Sequence, residues 1–301
     1  MTVLATLVNL ARRLTGHPVE HAGPVTPGLA RLGWMLGVPP RELLQFHGAR
    51  RAPRYHYRPL TLAKPNGATR QLYAPSPALK ALQQTLLREY LNTLPLHWAV
   101  TGFRRKFSVA DNARMHVGQA VVAAADITDF FDHTGARRVR AFFAAQEWDE
   151  VAAGVLTGLC TFRGALPQGA PTSPALSNLV NAPLDEALAA LARQSNACYS
   201  RYGDDLTFSW PDPRRVPHAM QRDVQRILLG FDYSLNRSKG WRVWHVHRGE
   251  VALITGVGLA RDGHMHPTPE VAQAMRELRH PQNADDAARL HGYEGFVKML
   301  R

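Results

Sequence analysis

At 301 residues, 45% hydrophobic and 20% charged, the chain is apolar enough to build a sizeable core, which excludes a disordered protein. Lys and Arg number 36 against 24 Asp and Glu, a formal net charge of +12, which favours a polyanionic partner without separating RNA, DNA and an acidic membrane. The two cysteines, Cys160 and Cys198, form no CxxC pair, which excludes a disulfide framework or zinc knuckle and fits a reduced cytoplasm.

From Val3 to Leu14 the apolar positions Leu4, Leu7, Val8 and Leu14 follow a helical spacing. Asn9 and Arg12 interrupt that run and no small-residue cleavage site follows, so neither a signal peptide nor a membrane span is expected. Further helices are predicted from Pro27 to Leu36 and, after Pro39 and Pro40, from Arg41 to Phe46. The run His47 to Tyr57, HGARRAPRYHY, interleaves cations with aromatics; it suits phosphate contact and base stacking, and equally a solvated linker. In Thr61 to Pro75, Pro65, Asn66 and Gly67 mark a hairpin turn flanked by Lys64 and Arg70, either a clamp on a triphosphate or an exposed basic hairpin. Leu79 to Leu94 reads as an amphipathic helix. Next, TGFRRKFSVADNARMH, Thr101 to His116, combines Arg104, Arg105 and Lys106 with Phe103 and Phe107, a mixture suited to a template strand. Asn112 and His116, four apart on a predicted helix, share a face and either cap a loop or contact a nucleic-acid backbone.

Val121, Val122 and the alanines after them read as a buried strand with Asp126 at its C-terminal end. A helix follows from Ala136 to Trp148, then LPQGAPTSP, Leu166 to Pro174, a stiff loop on which Gln168 and Gly169 allow close approach to a flat base pair. Ser173 opens a helix with an apolar stripe through Leu176, Val180, Leu184, Leu188 and Leu191, and Pro183 is expected to kink it. RYGDDLTFSW, Arg201 to Trp210, reads as strand, tight turn, strand, with Asp204 and Asp205 at the tip. Alone, that pair fits an exposed polar turn as well as a cation site. With Asp126 it acquires the donors to hold two Mg²⁺ ions roughly 3.5 to 4 Å apart, as phosphoryl transfer requires, one activating a 3′-hydroxyl and the other stabilising pyrophosphate. Beyond it lie a predicted helix from Val216 to Leu229, a polar loop with Asn236 and Lys239, a strand, and helices from Thr268 and from Ala284 to Leu300. ITGVGLARDG lacks the third glycine of a dinucleotide fingerprint, and His245 with His247, or His264 with His266, alternate as one strand face does without further metal-ligand spacing.

The order of motifs is more specific than any one of them. A basic hairpin, GF with a downstream NARMH, DITDFFD, LPQGAPTSP, RYGDD, LNRSK and ITGVGL together resemble the reverse transcriptases of bacterial retrons, from about Leu29 to the C-terminus. The resemblance implies an α+β right-hand polymerase fold with an antiparallel palm sheet backed by helices: N-terminal helices and fingers over 1–120, palm over 121–262 with the 163–175 loop contacting the fingers, and a short helical thumb over 263–301. It assigns Asp126, Asp204, Asp205 and the Ile127 carbonyl to the metal site, which takes two Mg²⁺ or Mn²⁺ ions. Gln168, Gly169, Lys64 and Arg70 would meet the incoming dNTP, and Lys239 would protonate pyrophosphate. Arg104, Arg105, Lys106, Asn112 and His116 would touch nucleic acid. It further implies a structured noncoding RNA as template, a 2′-hydroxyl primer, a branched RNA–DNA product (msDNA), and phage defence with a separate effector protein. No RNase H or endonuclease motif is present, so template removal is expected to fall to another enzyme.

Three other readings compete with this one. An RNA-directed RNA polymerase shares GDD on a hairpin; Phe131, five residues after Asp126, is the discriminating position, since a ring beneath the sugar would exclude a 2′-hydroxyl. A catalytically silent RNA-binding scaffold would need the basic surface only, and an unused cluster of three carboxylates would then merely cost stability. A group II intron type of enzyme is expected to carry splicing and DNA-binding regions for which the chain has no room.

Overall fold

The computed structural model describes residues 24–47, 57–63, 69–279 and 283–300. The predicted first helix, Lys64 with its turn, and most of the basic run before Tyr57 lie outside them. The chain folds as two units that interleave along the sequence, one comprising Met1–Leu96 and Asp129–Asn181, the other His97–Thr128 and Ala182–Arg301. Residues 97–120, expected with the N-terminal region, therefore fold with the second unit, and 129–181, expected with the central one, fold with the first.

The first unit is built around the helix Glu150–Cys160, apolar on every side and buried from Ala152 to Cys160. Leu29, Leu32, Leu79, Leu86, Val139, Phe143 and Leu176 belong to the same core. Asp149 caps this helix by accepting from the Ala152 N–H at 2.9 Å, and also accepts from the Thr26 hydroxyl at 2.9 Å and the Gly28 N–H at 2.7 Å, which ties the helix Pro27–Leu36 to it. Strands β1 (Tyr57–Ala63) and β2 (Thr69–Pro75) pair antiparallel. Buried Gln83 joins β1 to the central helix, donating to the Tyr57 hydroxyl and to the Leu159 carbonyl, both at 2.7 Å.

Pro183 does more than kink a helix. The apolar stripe divides into two helices, Ser173–Val180 and Ala182–Gln194, parted at Asn181. Proline lacks the N–H for the bond four residues back and its ring crowds that carbonyl, so it is tolerated only in the first turn of a new helix. The boundary between the units falls at the same place. Three other helices are shorter than the periodicity predicts: Pro77–Glu89 gives way to a 3₁₀ turn at Leu91–Thr93, Ala136–Ala145 stops before Glu147 at φ 61°, and Met220–Gly230 starts after Pro217.

The second unit centres on an antiparallel sheet of order β4 (Cys198–Tyr202), β5 (Asp205–Trp210), β3 (Val121–Asp126) and β6 (Arg242–Trp244). Because side chains alternate along a strand, the register sorts them into two faces. Tyr199, Arg201, Leu206, Phe208 and Trp210 stand with Val121, Ala123 and Ala125 on one face, against the helix Ala182–Gln194. Ser200, Asp205, Thr207 and Ser209 stand with Val122, Ala124 and Asp126 on the other. There the helix Val109–Arg114 packs, followed by a three-stranded sheet of β7 (Ala252–Ile254), β8 (Val257–Leu259) and β9 (Met265–Pro267). The chain ends in the helices Pro269–Glu277 and Ala284–Met299, capped by the Thr268 and Asn283 side chains, so Asp285 and Asp286 form a first helical turn. Among the described residues no helix is long and apolar enough to cross a membrane.

Candidate active site

The strand β3 is buried throughout, and Asp126 at its end is 3% exposed. Its Cα partner across the ladder is Asp205, so the register alone places both carboxylates side by side on one face of the sheet. Tyr202 and Asp205 are the last pair of the β4–β5 ladder, which leaves Gly203 and Asp204 as a two-residue turn. Gly203 has φ +64° while Asp204 stays out of the positive region, the pattern of a type II′ turn that takes glycine at its first central position. Asp204 is thereby held at the tip, and the Ile127 N–H donates to its carbonyl at 2.9 Å.

The loop after Tyr233 closes on the same place. The Asn236 N–H donates to the Asp126 carbonyl at 2.7 Å and its side-chain amide to Asp126 Oδ1 at 3.1 Å, while the Lys239 ammonium pairs with Oδ2. Asn236 Oδ1 accepts from the Ser238 N–H at 3.0 Å and its hydroxyl at 2.7 Å, an Asx turn that aims both Asn236 and Lys239 at Asp126. Asn236, which the sequence places only in a polar loop, is thus a direct partner of Asp126; Asn two residues ahead of Ser, beside Lys239, is the signal for it. In this bridge Thr128 N–H goes to Ser234 and Asn236 N–H to Asp126, which leaves the Ile127 carbonyl outside those bonds.

Burial, then the charge of Asp126, push the Asp204 carboxyl above its ordinary pKa despite the opposing pull of Lys239. For Asp205, burial followed by the charges of Asp204 and Asp126 outweighs Lys239 and Arg242, and the carboxyl is pushed up to about 6. The Lys239 ammonium loses by burial but gains more from its bond to Asp126 and the three negative charges, and its pKa is raised. The three carboxylates outnumber the two cations beside them, Lys239 and Arg242. Among the described residues no group of three or more His, Cys, Asp or Glu side chains is placed to hold a metal ion unaided. The donors are nonetheless hard oxygens with unneutralised charge, the set that Mg²⁺ and Mn²⁺ take with water and substrate completing the shell.

Beside the turn lies the basic aromatic loop. Phe103, at φ 55°, sets its ring 6.3 Å from that of Tyr202, and Arg104 stacks on Phe107 at 4.2 Å. Phe103, Arg105, Lys106 and Phe107 are exposed. Asn112 and His116 require a correction: both are 1% exposed and turned inward, with no surface to offer a nucleic acid. The Ser200 hydroxyl donates to Asn112 Oδ1 at 2.8 Å, so it accepts from His116 Nε2–H at 2.8 Å, and Nδ1 accepts from Ser209 at 2.7 Å. Thr101 also donates to Asn112 Oδ1 at 2.7 Å, and the Asn112 amide reaches Thr255 at 3.3 Å. Burial drives the His116 pKa down to about 3, so the ring is neutral and braces β4, β5 and the 101–116 segment from beneath.

The remaining expected site residues belong to the first unit. The Tyr73 N–H of β2 donates to the Gln168 carbonyl at 2.7 Å, and Gly169, at φ +111°, leaves room where a Cβ would stand 3.0 Å from the Tyr73 carbonyl. The PQG loop is thus fixed to the basic hairpin, on which Arg70 is exposed. Phe131 is half-buried and packs on the core of this unit, its ring 5.8 Å from that of Phe130.

Residues 62–245 match the family model "Reverse transcriptase (RNA-dependent DNA polymerase)". The chain is 35% identical to the Retron Mx162 reverse transcriptase of Myxococcus xanthus over 74% of its own length and 51% of the relative's. It is 34% identical to the Retron Mx65 reverse transcriptase of the same organism, over 90% and 67%, and 36% identical to the Retron Ec86 reverse transcriptase of Escherichia coli, over 55% and 52%. The chain thus spans about half the length of two of these curated relatives. Among solved structures, the telomerase of Candida albicans with a fragment of telomeric RNA aligns over 74% of this chain and 49% of its own, with a TM-score of 0.51 at 11% identity. That likeness is one of fold alone, the α+β right-hand polymerase fold.

Proposed function

We propose that this chain, which belongs to the reverse transcriptase family and to its bacterial retron type, copies a structured noncoding RNA into single-stranded DNA. The observation that carries the reading is the juxtaposition of Asp126 and Asp205 across one ladder with Asp204 on the adjoining turn, three hard-oxygen carboxylates gathered at one end of the sheet. Asp126, Asp204, Asp205 and the Ile127 carbonyl would hold two Mg²⁺ or Mn²⁺ ions. Bound there, such ions supply Lewis-acid activation of a 3′-hydroxyl and stabilise the pyrophosphate leaving group. The protein's own part is positional: the ladder register fixes the carboxylates, Asn236 holds Asp126, and Lys239 provides a cation and proton donor for pyrophosphate.

In this reading the four-stranded sheet is the palm and the two final helices the thumb. Lys64, Arg70, Gln168 and Gly169 serve the incoming dNTP and Phe131 excludes a 2′-hydroxyl, while Arg104, Arg105 and Lys106 track the template. The basic charge, the free thiols of Cys160 and Cys198, and the retron relatives support a cytoplasmic enzyme acting on a dedicated RNA, with a branched RNA–DNA product and a defence role beside an effector protein. The test is to express the chain with its flanking genomic DNA and sequence the nucleic acid that copurifies. RNA joined to short single-stranded DNA is expected from the wild type, and RNA alone from Asp204→Asn. RNA without DNA from the wild type, or equal DNA from both, contradicts the proposal.

A further inference from the structure

Two residues before the turn, Arg201 is 0% exposed, and so is its partner Asp185 on the helix Ala182–Gln194. The guanidinium meets the carboxylate as a fork, Nε to Oδ1 and Nη2 to Oδ2, both at 2.7 Å, and the Tyr199 hydroxyl donates to Oδ1 at 2.9 Å. A buried ion pair is a poor way to stabilise a fold, since apolar side chains of similar volume commonly serve as well or better. This one has a further contact: Arg201 Nη1 donates to the Gly203 carbonyl at 3.0 Å. The next carbonyl, that of Asp204, accepts from the Ile127 N–H at 2.9 Å. Asp204 therefore lies between two anchored peptide groups, and with both planes fixed its own φ and ψ, and so the direction in which its Cα–Cβ bond leaves the backbone, are fixed too.

We infer that Arg201, held by Asp185 and Tyr199, is a positioning residue for Asp204: its third donor sets the peptide plane from which the metal-binding carboxylate projects. The inference rests on the metal-site reading above. Lysine cannot substitute, because a single ammonium cannot satisfy both carboxylate oxygens and reach the Gly203 carbonyl as a planar fork does. The second anchor is backbone, so Arg201 is the one that mutation can release.

The test compares full-length Arg201→Lys, which keeps the charge, the double variant Arg201→Met/Asp185→Leu, which removes the ion pair without leaving a charge buried, and Asp204→Asn. Mn²⁺ binding to the protein alone is followed by electron paramagnetic resonance, and dNTP addition to a primed RNA by single-turnover kinetics. Positioning requires Mn²⁺ affinity at least about fivefold weaker and an addition rate at least about tenfold slower in both Arg201 variants, with RNA affinity kept. A merely structural pair would lower thermal stability while leaving Mn²⁺ affinity and the rate per folded molecule within about twofold of wild type, and that result overturns the inference. Arg201→Lys alone decides the matter where the double variant does not fold. Wild-type Mn²⁺ binding and synthesis in Asp204→Asn would instead refute the metal-site reading itself.

Discussion

Asp126 and Asp205 are direct partners in the β3–β5 ladder, the closing pair of an otherwise apolar and hydroxyl-bearing register. Burial first, and then the like charges of Asp204 and Asp126, oppose ionisation of Asp205. The Asp205 carboxyl is pushed up to about 6 from 3.8, so between those pH values the folded state binds more protons than the unfolded, and stability falls as pH rises through that window. Asp205→Asn should thus stabilise the metal-free protein at pH 7, by at most about 3 kcal/mol, while abolishing synthesis. Urea denaturation in a chelator, run at pH 4 and pH 7, checks it: the gain belongs at pH 7 and should largely vanish at pH 4. Destabilisation at pH 7 would mean that the carboxylate cluster is not under charge strain.

The exposed loop cations lead to a second expectation. Each phosphate contact releases counterions and adds about 0.7 to 0.9 to the slope of log affinity against log salt. Replacing Arg105 and Lys106 by Ala should lower that slope by about 1.5 and weaken RNA of any sequence alike. An unchanged slope in filter binding across a salt series removes this loop from the interface.

Phe131 tests the choice of sugar. Phe131→Val should raise rNTP use relative to dNTP by at least about tenfold, equivalent to roughly 1.4 kcal/mol of discrimination. Its ring also packs on a core, so the competing outcome is specific: both rates fall together with a loss of stability and the ratio stays constant. Single-nucleotide kinetics on folded variant separates the two.

These residues also show what the sequence made legible. The place of Asp126 at a strand end and of Asp204 on a turn is legible because strand and turn chemistry are local, an apolar run ending in Asp and Gly before two acids between β-formers, while Asp205, expected at the tip, opens the next strand instead. Asn112 and His116 were misread because four-residue spacing says which side chains share a face and not whether that face looks outward. Here Ser200 and Ser209 of the sheet, with Thr101 beside it, supply hydroxyl partners only tertiary structure can bring. The same holds for Arg201, whose burial depends on Asp185 16 residues earlier in the chain, with no periodicity to announce it. Pro183 carried a signal, yet a kink and a break differ only in whether the chain resumes its direction after the missing hydrogen bond.

The most direct measurement is extension of a DNA primer annealed to an RNA template by the purified chain in Mg²⁺, comparing wild type with Asp126→Asn and Asp204→Asn and measuring RNA affinity alongside. Wild type should add dNTPs in strong preference to rNTPs, and either variant should lose at least about 10³-fold in rate while binding RNA within about threefold of wild type. Extension by either variant at near wild-type rate, or a wild-type preference for rNTPs, would contradict the assignment of these carboxylates to RNA-directed DNA synthesis.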